Sequence, residues 1–300
     1  MSSIPSPGTI NLENVLNLRD VGVFTNAVSG KHRLNTGLLF RSARPDFASP
    51  SDRDTLQSGL NIRTILDLRS KTEQLKVAQS PSSLAVPPTT NTTSPLPPPQ
   101  PSPPSPLPIL TTKINLNGPL FQLRLISLLP VLSALHLILL YILGYRIPAI
   151  RILSVAMSPR GLTGLAIDTL LSSWYEMRSI FALLADKSHW PVLVHCTQGK
   201  DRTGLTVLLL ELLCGVDEEA CEREYMATQG RLESEREGRV REIEEIGLPA
   251  EWADCEPGWV GRVKGFIDGR WGGVGGYLFW CGVKREEVVA VKEILMASPA

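Results

Sequence analysis

The hydrophobic positions of this chain fall into short apolar runs and longer stripes with helical spacing. Leu38–Phe40, Ile62–Leu68 and Pro191–Val194 are brief apolar runs bounded by turn residues, which is typical of strands buried in a parallel sheet. Leu165–Ala185 and Thr203–Leu213 carry apolar residues at helical spacing and predict helices. We therefore expect an α/β fold with a central, mainly parallel sheet flanked by helices on both sides.

Polar segments complete this pattern. Residues 51–58 follow a proline and carry two aspartates near the start, which predicts a helix. Residues 217–245 mix charges of both signs and predict helices with a solvated face. The glycines within residues 272–276 predict a turn rather than a second phosphate loop, because no strand pattern precedes them and no clear helix pattern follows.

The most apolar stretch is Leu125–Tyr145, which has no charged side chain over 21 residues and is long enough to cross a bilayer. A single span would place Ile62–Leu68 and Pro191–Val194 on opposite sides of the membrane, although both should belong to one sheet. We therefore reject a span. Two interpretations of an apolar helical insert over residues 119–158 stay open: a lid packed on the domain, or a face in peripheral contact with a membrane.

A proline-rich segment interrupts the first half of the pattern. Twelve of the 24 prolines lie between Pro81 and Pro108, in a stretch with almost no charge and few large apolar groups. Such a stretch buries too little surface to offset its ordering entropy, which predicts a disordered or polyproline insert over residues 78–112. It is either a docking site for a proline-binding domain, through the spacing Pro101–Pro104, or a solvated insertion without a partner.

Composition narrows the class of protein. The 30 basic and 30 acidic residues cancel, which argues against a protein that binds nucleic acid through a broad basic face. Five cysteines form no CxxC pair and four histidines are scattered, so neither a disulfide framework nor a zinc site is expected. The N-terminus has no signal-peptide pattern. We expect a cytoplasmic protein in a reducing compartment.

The candidate chemistry lies in residues 195–204, between an apolar strand pattern and an apolar helix pattern. A short loop of small residues in that context binds anions, because its N–H groups point inward and the helix N-terminus adds positive charge. Cys196 begins the loop, where the same charges favour the nucleophilic thiolate. Arg202 has a planar fork that can hold two oxygens of a phosphoryl group. Together they supply a nucleophile and a transition-state clamp.

The sequence HCTQGKDRTG at residues 195–204 resembles the HCxxGxxR[ST]G signature of the cysteine-dependent phosphatases. Apart from the proline-rich insert, the whole chain is similar to the tyrosine-phosphatase-like branch of fungi and bacteria, which carries GKDRTG. The other matching segments are Asn17–Asp20 (NLRD), Leu38–Ala43 (LLFRSA), Ile65–Ser70 (ILDLRS), Glu256–Trp259 (EPGW) and Gly272–Leu278.

This resemblance implies a two-step hydrolysis of phosphate monoesters, with no metal or other cofactor. Cys196 would attack phosphorus and form a phosphocysteine, while Arg202 and the loop amides hold the equatorial oxygens. Thr203 would hydrogen-bond the sulfur, His195 would orient the loop through backbone contacts, and Lys200 would add positive charge. The remaining loop residues expected to bind the phosphoryl group are Thr197, Gln198, Gly199 and Gly204.

The general acid that protonates the leaving oxygen has two candidates. Asp67 ends the strand Ile62–Leu68, at the sheet edge where ligands collect, and Asp201 lies inside the loop itself. An ion pair between Asp67 and Arg69 is the structural alternative. Arg19 and Asp20 are expected to form a fold-stabilising pair near the site.

These observations favour one phosphatase domain over residues 1–300. The expected substrate is a phosphotyrosine protein, with phosphoserine, phosphothreonine or a phosphoinositide as alternatives. A catalytically inactive phosphate-binding module is a rival hypothesis, which the presence of Cys196, Arg202 and Thr203 argues against. A sulfur-transfer enzyme is another, but it does not need an arginine six residues after the cysteine.

Overall fold

The computed structural model describes residues 7–78 and 109–297, and a five-stranded sheet lies at its centre. The strands are β1 (Arg19–Asp20), β2 (Leu39–Ser42), β3 (Thr64–Asp67), β4 (Leu110–Lys113) and β5 (Val192–His195). Their order is β1-β2-β5-β3-β4; only β1 is antiparallel to its neighbour. The expected α/β fold with a mainly parallel sheet is confirmed.

Strand β5 occupies the middle of the sheet. Its last residue, His195, pairs in register with Ser42 at the end of β2 and with Asp67 at the end of β3. The carboxyl ends of three parallel strands therefore meet at one edge, which is where α/β proteins bind their ligands. The segment that follows His195 starts from the centre of that edge.

Helices surround this sheet. In chain order, those of the described residues are α1 (Val21–Ser29), α2 (Pro50–Asp54), α3 (Lys71–Ala78), α4 (Pro119–Ser127), α5 (Val131–Ile142), α6 (Arg146–Met157), α7 (Gly161–Ser172), α8 (Trp174–Leu184), α9 (Asp201–Leu213), α10 (Glu218–Arg231), α11 (Arg236–Glu245), α12 (Trp259–Trp271), α13 (Val274–Trp280) and α14 (Arg285–Leu295). Helix α9 is buried along most of its length. Because it begins directly after the candidate loop, that loop is anchored on both sides by the main core.

Two predicted helices differ in extent from the observed ones. Leu165–Ala185 predicts one helix, but α7 and α8 meet at Ser173, where the backbone leaves helical geometry with ψ 35°. The Ser173 hydroxyl donates to the Leu116 carbonyl at 2.5 Å, so a tertiary hydrogen bond accompanies the break. Residues 51–58 form α2 and then one turn of π-helix over Thr55–Gly59.

The proline-rich prediction lies mostly outside the described residues. Within them, its end at residue 112 is wrong, because Leu110–Lys113 form β4 and pair with β3. The pattern of apolar residues does not predict this strand, because three of its four side chains are exposed at the edge of the sheet. The cluster within residues 272–276 also differs from expectation. Gly272 and Gly273 have positive φ angles of 70° and 117° and turn the chain, but α13 follows them directly.

The apolar stretch forms helices that are broken by Pro130, which begins α5 after a short turn. No helix within residues 7–78 and 109–297 is long and apolar enough to cross a membrane. Helices α5 and α6 form an antiparallel pair, here called the α5–α6 hairpin (Val131–Met157). Leu137 and Ala149 of the hairpin pack with Leu129, which precedes it, in a small core that is separate from the main core.

Candidate active site

The candidate loop runs from Cys196 to Lys200, and α9 begins at Asp201. Its shape is fixed by hydrogen bonds to its carbonyl oxygens. The Arg44 amide donates to Thr197 O at 3.1 Å. The Asn17 side chain donates to Gln198 O at 3.4 Å and to Gly199 O at 3.1 Å. Because C=O and the following N–H of a trans peptide point in opposite directions, these bonds direct the loop amides toward the opposite side.

A buried ion network supports the loop from behind. Arg41 donates to Gly199 O at 2.6 Å and also binds Glu224. Glu224 accepts from Arg19 at 2.8 Å, and all three side chains are inaccessible to solvent. Burial lowers the pKa of Arg19 to about 9, against the attraction of Glu224. Leaving any one of these charges unpaired in the interior would be costly.

The expected pair between Arg19 and Asp20 is wrong. Arg19 binds Glu224, as described above, while Asp20 accepts hydrogen bonds from the amides of Val23 and Gly37. Asp20 therefore caps the start of α1, which satisfies a helix N–H that has no partner within the helix. Two adjacent residues point to opposite faces of a strand, so they serve different neighbours.

Gly199 is the one loop position where a side chain cannot be accommodated. Its φ is +65°, and a Cβ atom would lie 2.1 Å from the carbonyl oxygen of Ser42. The loop thus passes directly over the end of β2. Gly204 is less restricted, because a Cβ there would meet the ring of Tyr225 at 3.2 Å.

Arg202 forms a bidentate ion pair with Glu73, which sequence reasoning missed. Nη1 and Nη2 donate to the two carboxylate oxygens at 2.7 and 2.6 Å, and the Thr197 hydroxyl donates to the same carboxylate at 2.6 Å. Burial raises the pKa of Glu73, but the charge and hydrogen bonds of Arg202 outweigh it and hold that pKa well below its usual range.

A sequence signal for Glu73 does exist. Ser70 and Glu73 have the spacing of a capping box, the pattern that marks a helix start. The Ser70 amide donates to Glu73 at 2.9 Å, and the Glu73 amide donates to the Ser70 hydroxyl at 3.3 Å. Because this helix start follows β3, the box places a carboxylate at the same sheet edge as the loop.

Asp67 is buried against Arg69. Arg69 Nε and Nη2 each donate to the Asp67 carboxylate at 2.9 Å, and its Nη1 and Nη2 donate to Asp46 at 2.6 and 3.0 Å. Burial raises the pKa of Asp67, but the hydrogen bonds from Arg69 together with the charges of His195 and Arg69 lower it more, so that it lies below the usual range. The ion pair considered as the structural alternative is therefore present.

The other polar residues near Cys196 occupy different positions. His195 is buried, its Nδ1 lies 3.0 Å from Cys196 O, and burial lowers its pKa. The Thr203 hydroxyl is buried and has no hydrogen-bond partner among the described residues, so the expected bond to the sulfur is not formed. Asp201 lines the pocket beside Cys196 and Arg202, and its side chain is 35% exposed.

Lys200 is placed differently from expectation. Its side chain is buried, and Nζ donates to the carbonyl oxygens of Trp252 and Asp254 at 2.9 and 2.8 Å. It also lies 3.2 Å from the Asp201 carboxylate. The ammonium group thus binds the segment 252–254, and Lys200 is not among the residues that line the pocket.

The pocket above the loop has a volume of about 840 Å³. Cys196, Thr197, Gln198 and Arg202 lie on its wall, opposite apolar side chains of the α5–α6 hairpin such as Leu137. Among the described residues, its charged lining consists of two arginines and four carboxylates: Arg44, Arg202, Glu73, Asp201, Glu242 and Glu245. The pocket is therefore apolar on one side and has few cations beyond the loop.

The remaining four cysteines are buried and free. Burial raises the pKa of Cys214 to about 12, of Cys255 to about 11 and of Cys281 to about 12. Burial also raises that of Cys221, with the nearby charge of Glu211 adding to the effect. These thiols are poor nucleophiles at neutral pH.

Comparisons with known proteins agree with this geometry. A family model described as tyrosine phosphatase family matches residues 10–115 and 154–297. The match is interrupted over residues 116–153, which contain α4, α5 and most of α6. A tyrosine-protein phosphatase of Nostoc commune is 29% identical over 126 residues, which cover 39% of this chain and 43% of the relative. The chain thus spans less than half the length of that relative. Since the family model matches well over half of the chain, the chain belongs to the tyrosine phosphatase family.

Proposed function

We propose that this protein hydrolyses phosphate monoesters through a phosphocysteine intermediate. The observation that carries the proposal is the position of Cys196 and Arg202 on one pocket wall. The carbonyl oxygens of residues 197–199 in the loop between them accept hydrogen bonds from outside the loop. The Cys196 thiolate attacks phosphorus, and the bond to the leaving oxygen breaks. Water then attacks the same phosphorus atom, the S–P bond breaks, and inorganic phosphate leaves.

Asp201 is the better candidate for the general acid. It lines the pocket and its side chain is partly exposed, so a leaving oxygen can come within hydrogen-bond reach. Asp67 is buried and its carboxylate is bound by Arg69. Burial raises the pKa of Asp67, but Arg69 and His195 together lower it more. Asp67 is also not among the described residues that line the pocket, so a leaving oxygen bound there does not come within reach of its carboxyl group. We assign Asp67 to the support of Arg69.

Glu73 orients Arg202 for the phosphoryl group. A guanidinium presents two parallel N–H pairs, and Glu73 accepts from the Nη1 and Nη2 pair. The other edge of the Arg202 guanidinium, which carries Nε, is not used by Glu73 and can bind an equatorial oxygen of the phosphoryl group. The Thr197 hydroxyl holds Glu73 in turn, so the nucleophile's loop and the arginine are fixed by one carboxylate.

The pocket lining favours phosphotyrosine as the substrate group. Cys196 is only 2% exposed, so the phosphoryl group has to enter the pocket to reach the sulfur. A tyrosine ring carries that group on a long apolar stem, which suits the apolar hairpin side of the pocket. A polyphosphorylated inositol brings several negative charges, which two arginines beside four carboxylates would not balance.

Hydrolysis of a small aryl phosphate, a phosphotyrosine peptide and phosphoinositides tests the proposal directly. Cys196→Ser should abolish turnover on every substrate. Asp201→Asn should lower kcat most for substrates with poor leaving groups, whereas Asp67→Asn should lower thermal stability without that leaving-group dependence. Wild-type protein that binds these compounds without turnover would support the inactive binding module instead.

A second candidate is action at a membrane surface, and one observation favours it. The α5–α6 hairpin exposes large apolar side chains beside the pocket, with Leu132 81% and Ile142 75% accessible. Exposed apolar patches of this kind mark protein or membrane contacts. Flotation with liposomes, with and without anionic lipid, tests this candidate. Wild-type protein should float, and a variant with Leu132, Leu139 and Ile142 changed to Gln should not; absence of wild-type flotation would remove the candidate.

A further inference from the structure

Lys200 lies in the catalytic loop, but its ammonium group contacts oxygen atoms of the protein and does not face the pocket. A lysine ammonium has three N–H donors. The three acceptors around Nζ are Trp252 O at 2.9 Å, Asp254 O at 2.8 Å and the Asp201 carboxylate at 3.2 Å. The side chain is 1% exposed. Two hydrogen bonds and one ion pair thus hold the ammonium group within the protein, and Lys200 does not line the pocket that a substrate would enter.

The segment that Lys200 binds is itself firmly held. The Asp254 carboxylate accepts from Gln229 at 2.7 Å and from Arg236 at 2.8 and 3.0 Å. The Ala253 carbonyl accepts from Arg239 at 2.7 Å. The two arginines belong to α11, and the far end of that helix lines the pocket through Glu242 and Ile243. A continuous set of contacts therefore joins the catalytic loop to a second wall of the pocket.

We infer that Lys200 is a positioning residue that fixes the catalytic loop against the segment 252–254, and that it does not bind substrate phosphate. The inference rests on the proposed hydrolysis for its kinetic test. Lys200 directly precedes Asp201, which is the first residue of α9. A shift of Lys200 therefore moves both the loop and the proposed general acid. A displacement near 1 Å in such a site lowers the rate by about 100-fold.

The two possible roles of Lys200 differ in how they depend on the substrate. A residue that binds a second phosphate affects only substrates that carry one, and it acts mainly on KM. A positioning residue affects the reacting geometry of every substrate, so it acts on kcat by a similar factor throughout. The charge of the substrate beyond the reacting phosphoryl group is therefore the variable to change.

The experiment compares wild type with Lys200→Met, which keeps the unbranched stem of the side chain up to Cε and removes the ammonium donors. We expect kcat to fall about 10-fold to 100-fold, by a similar factor, on an aryl phosphate, a phosphotyrosine peptide and a phosphoinositide bisphosphate. A KM increase confined to the bisphosphate, with kcat on the aryl phosphate unchanged, would overturn the inference. Lys264→Met is the matched control, since Lys264 pairs with Asp268 on the surface of α12.

Tungstate binding, measured by calorimetry, supplies a readout that does not need turnover. This oxyanion occupies a phosphoryl site, so a displaced loop should bind it at least 10-fold more weakly. Unchanged tungstate affinity in Lys200→Met would contradict the positioning role. An inactive wild type that binds tungstate would instead contradict the proposed hydrolysis, and the two failures are distinguishable.

Arg236→Gln provides a second variant in case Lys200→Met does not fold. Arg236 is 38% exposed, lies outside the pocket lining and holds the Asp254 carboxylate. If Lys200 acts through the segment 252–254, Arg236→Gln should also lower kcat on all substrates, by a smaller factor. The double variant should lose less than the product of the two single losses. Independent, multiplicative losses would show that the loop is not positioned through this segment.

Discussion

The candidate loop and the α5–α6 hairpin line the same pocket but are held mainly by different kinds of contact. The loop is held by buried hydrogen bonds and ion pairs from Asn17, Arg41 and Glu224. The hairpin rests on a core of three buried apolar residues and exposes many more apolar side chains. It makes a hydrogen bond to α11, from Arg151 Nε to Glu245 O at 2.7 Å. Directional contacts fix atoms to within a fraction of an ångström, whereas apolar contacts tolerate sliding and repacking.

This difference separates the two tasks of the pocket. The bond making proposed at Cys196 needs fixed donors around one tetrahedral group, and the buried ion network of Arg19, Arg41 and Glu224 supplies that rigidity. Recognition of what lies beyond the phosphoryl group needs only a surface of suitable polarity. The family match is interrupted over residues 116–153, which include α5 and most of α6, so most of the hairpin lies outside the family similarity.

Gly199→Ala is the strongest way to break the rigid side of this comparison. The new Cβ would lie 2.1 Å from Ser42 O, at a φ of +65°. Since something has to shift, we expect the loop to leave its position and kcat on an aryl phosphate to fall by more than about 100-fold. Steady-state kinetics and thermal denaturation measure the two consequences.

Gly215→Ala is the matched control for that variant. Gly215 also has a positive φ, +73°, but a Cβ there meets nothing within 4 Å. It should therefore show the conformational strain alone, about 1 kcal/mol of stability, with kcat unchanged. Equal losses of activity in both variants would mean that the contact with Ser42 is not what fixes the loop.

Glu73→Gln has the next largest expected effect, because it removes the charge that orients Arg202. The amide can accept only part of the bidentate pattern of 2.6 and 2.7 Å, so we expect kcat to fall about 10-fold or more. Glu256→Gln is the control: it breaks a similar set of bonds to Arg262 and Thr163 away from the pocket. If both variants retain full activity, the proposed orientation of Arg202 by Glu73 is wrong.

The sequence was informative where a residue's task is local. Strands, the loop and α9 followed from apolar runs and a short motif, because their side-chain patterns are set by burial on a neighbouring layer. Its place in the motif predicts that Lys200 faces the pocket, but the partners of Lys200 are the carbonyl groups of residues 252 and 254. Carbonyl groups that only folding brings close to a side chain cannot be predicted from the composition of the sequence or from the spacing of its residues.

Glu211, a neighbour of the buried ion network of Arg19, Arg41 and Glu224, offers a pH test with an effect of intermediate size. Glu211 is buried and accepts from the Thr25 hydroxyl at 2.6 Å. Burial, aided by the charge of Glu224, raises its pKa from an ordinary 4.5 to about 8. The folded state therefore holds a proton that the unfolded chain releases above pH 4.5, so this group's contribution to stability is lost as the pH rises toward 8.

Glu211→Gln should remove that pH dependence, because the amide copies the protonated carboxyl. We expect the Tm of the variant relative to wild type to increase steadily between pH 5 and pH 8. Thermal denaturation at several pH values, with exposed Glu233→Gln as control, measures the difference. Parallel curves for wild type and Glu211→Gln would mean that Glu211 is ionised in the fold.

Polar substitutions in the hairpin should have the smallest effect on Tm and on kcat. An effect this small would show that the hairpin does not hold the candidate loop in place. Leu132, Leu139 and Ile142 are 81%, 53% and 75% exposed, so changing all three to Gln removes little buried area. Exposed substitutions usually alter stability by about 0.5 kcal/mol or less, and the rigid side of the pocket is untouched. We expect Tm and kcat on a small aryl phosphate to match wild type, while binding of larger apolar substrates or of liposomes weakens. If turnover of the small aryl phosphate falls as much as the binding of larger substrates, the hairpin helps to hold the candidate loop. The two walls of the pocket would then not differ in rigidity as proposed.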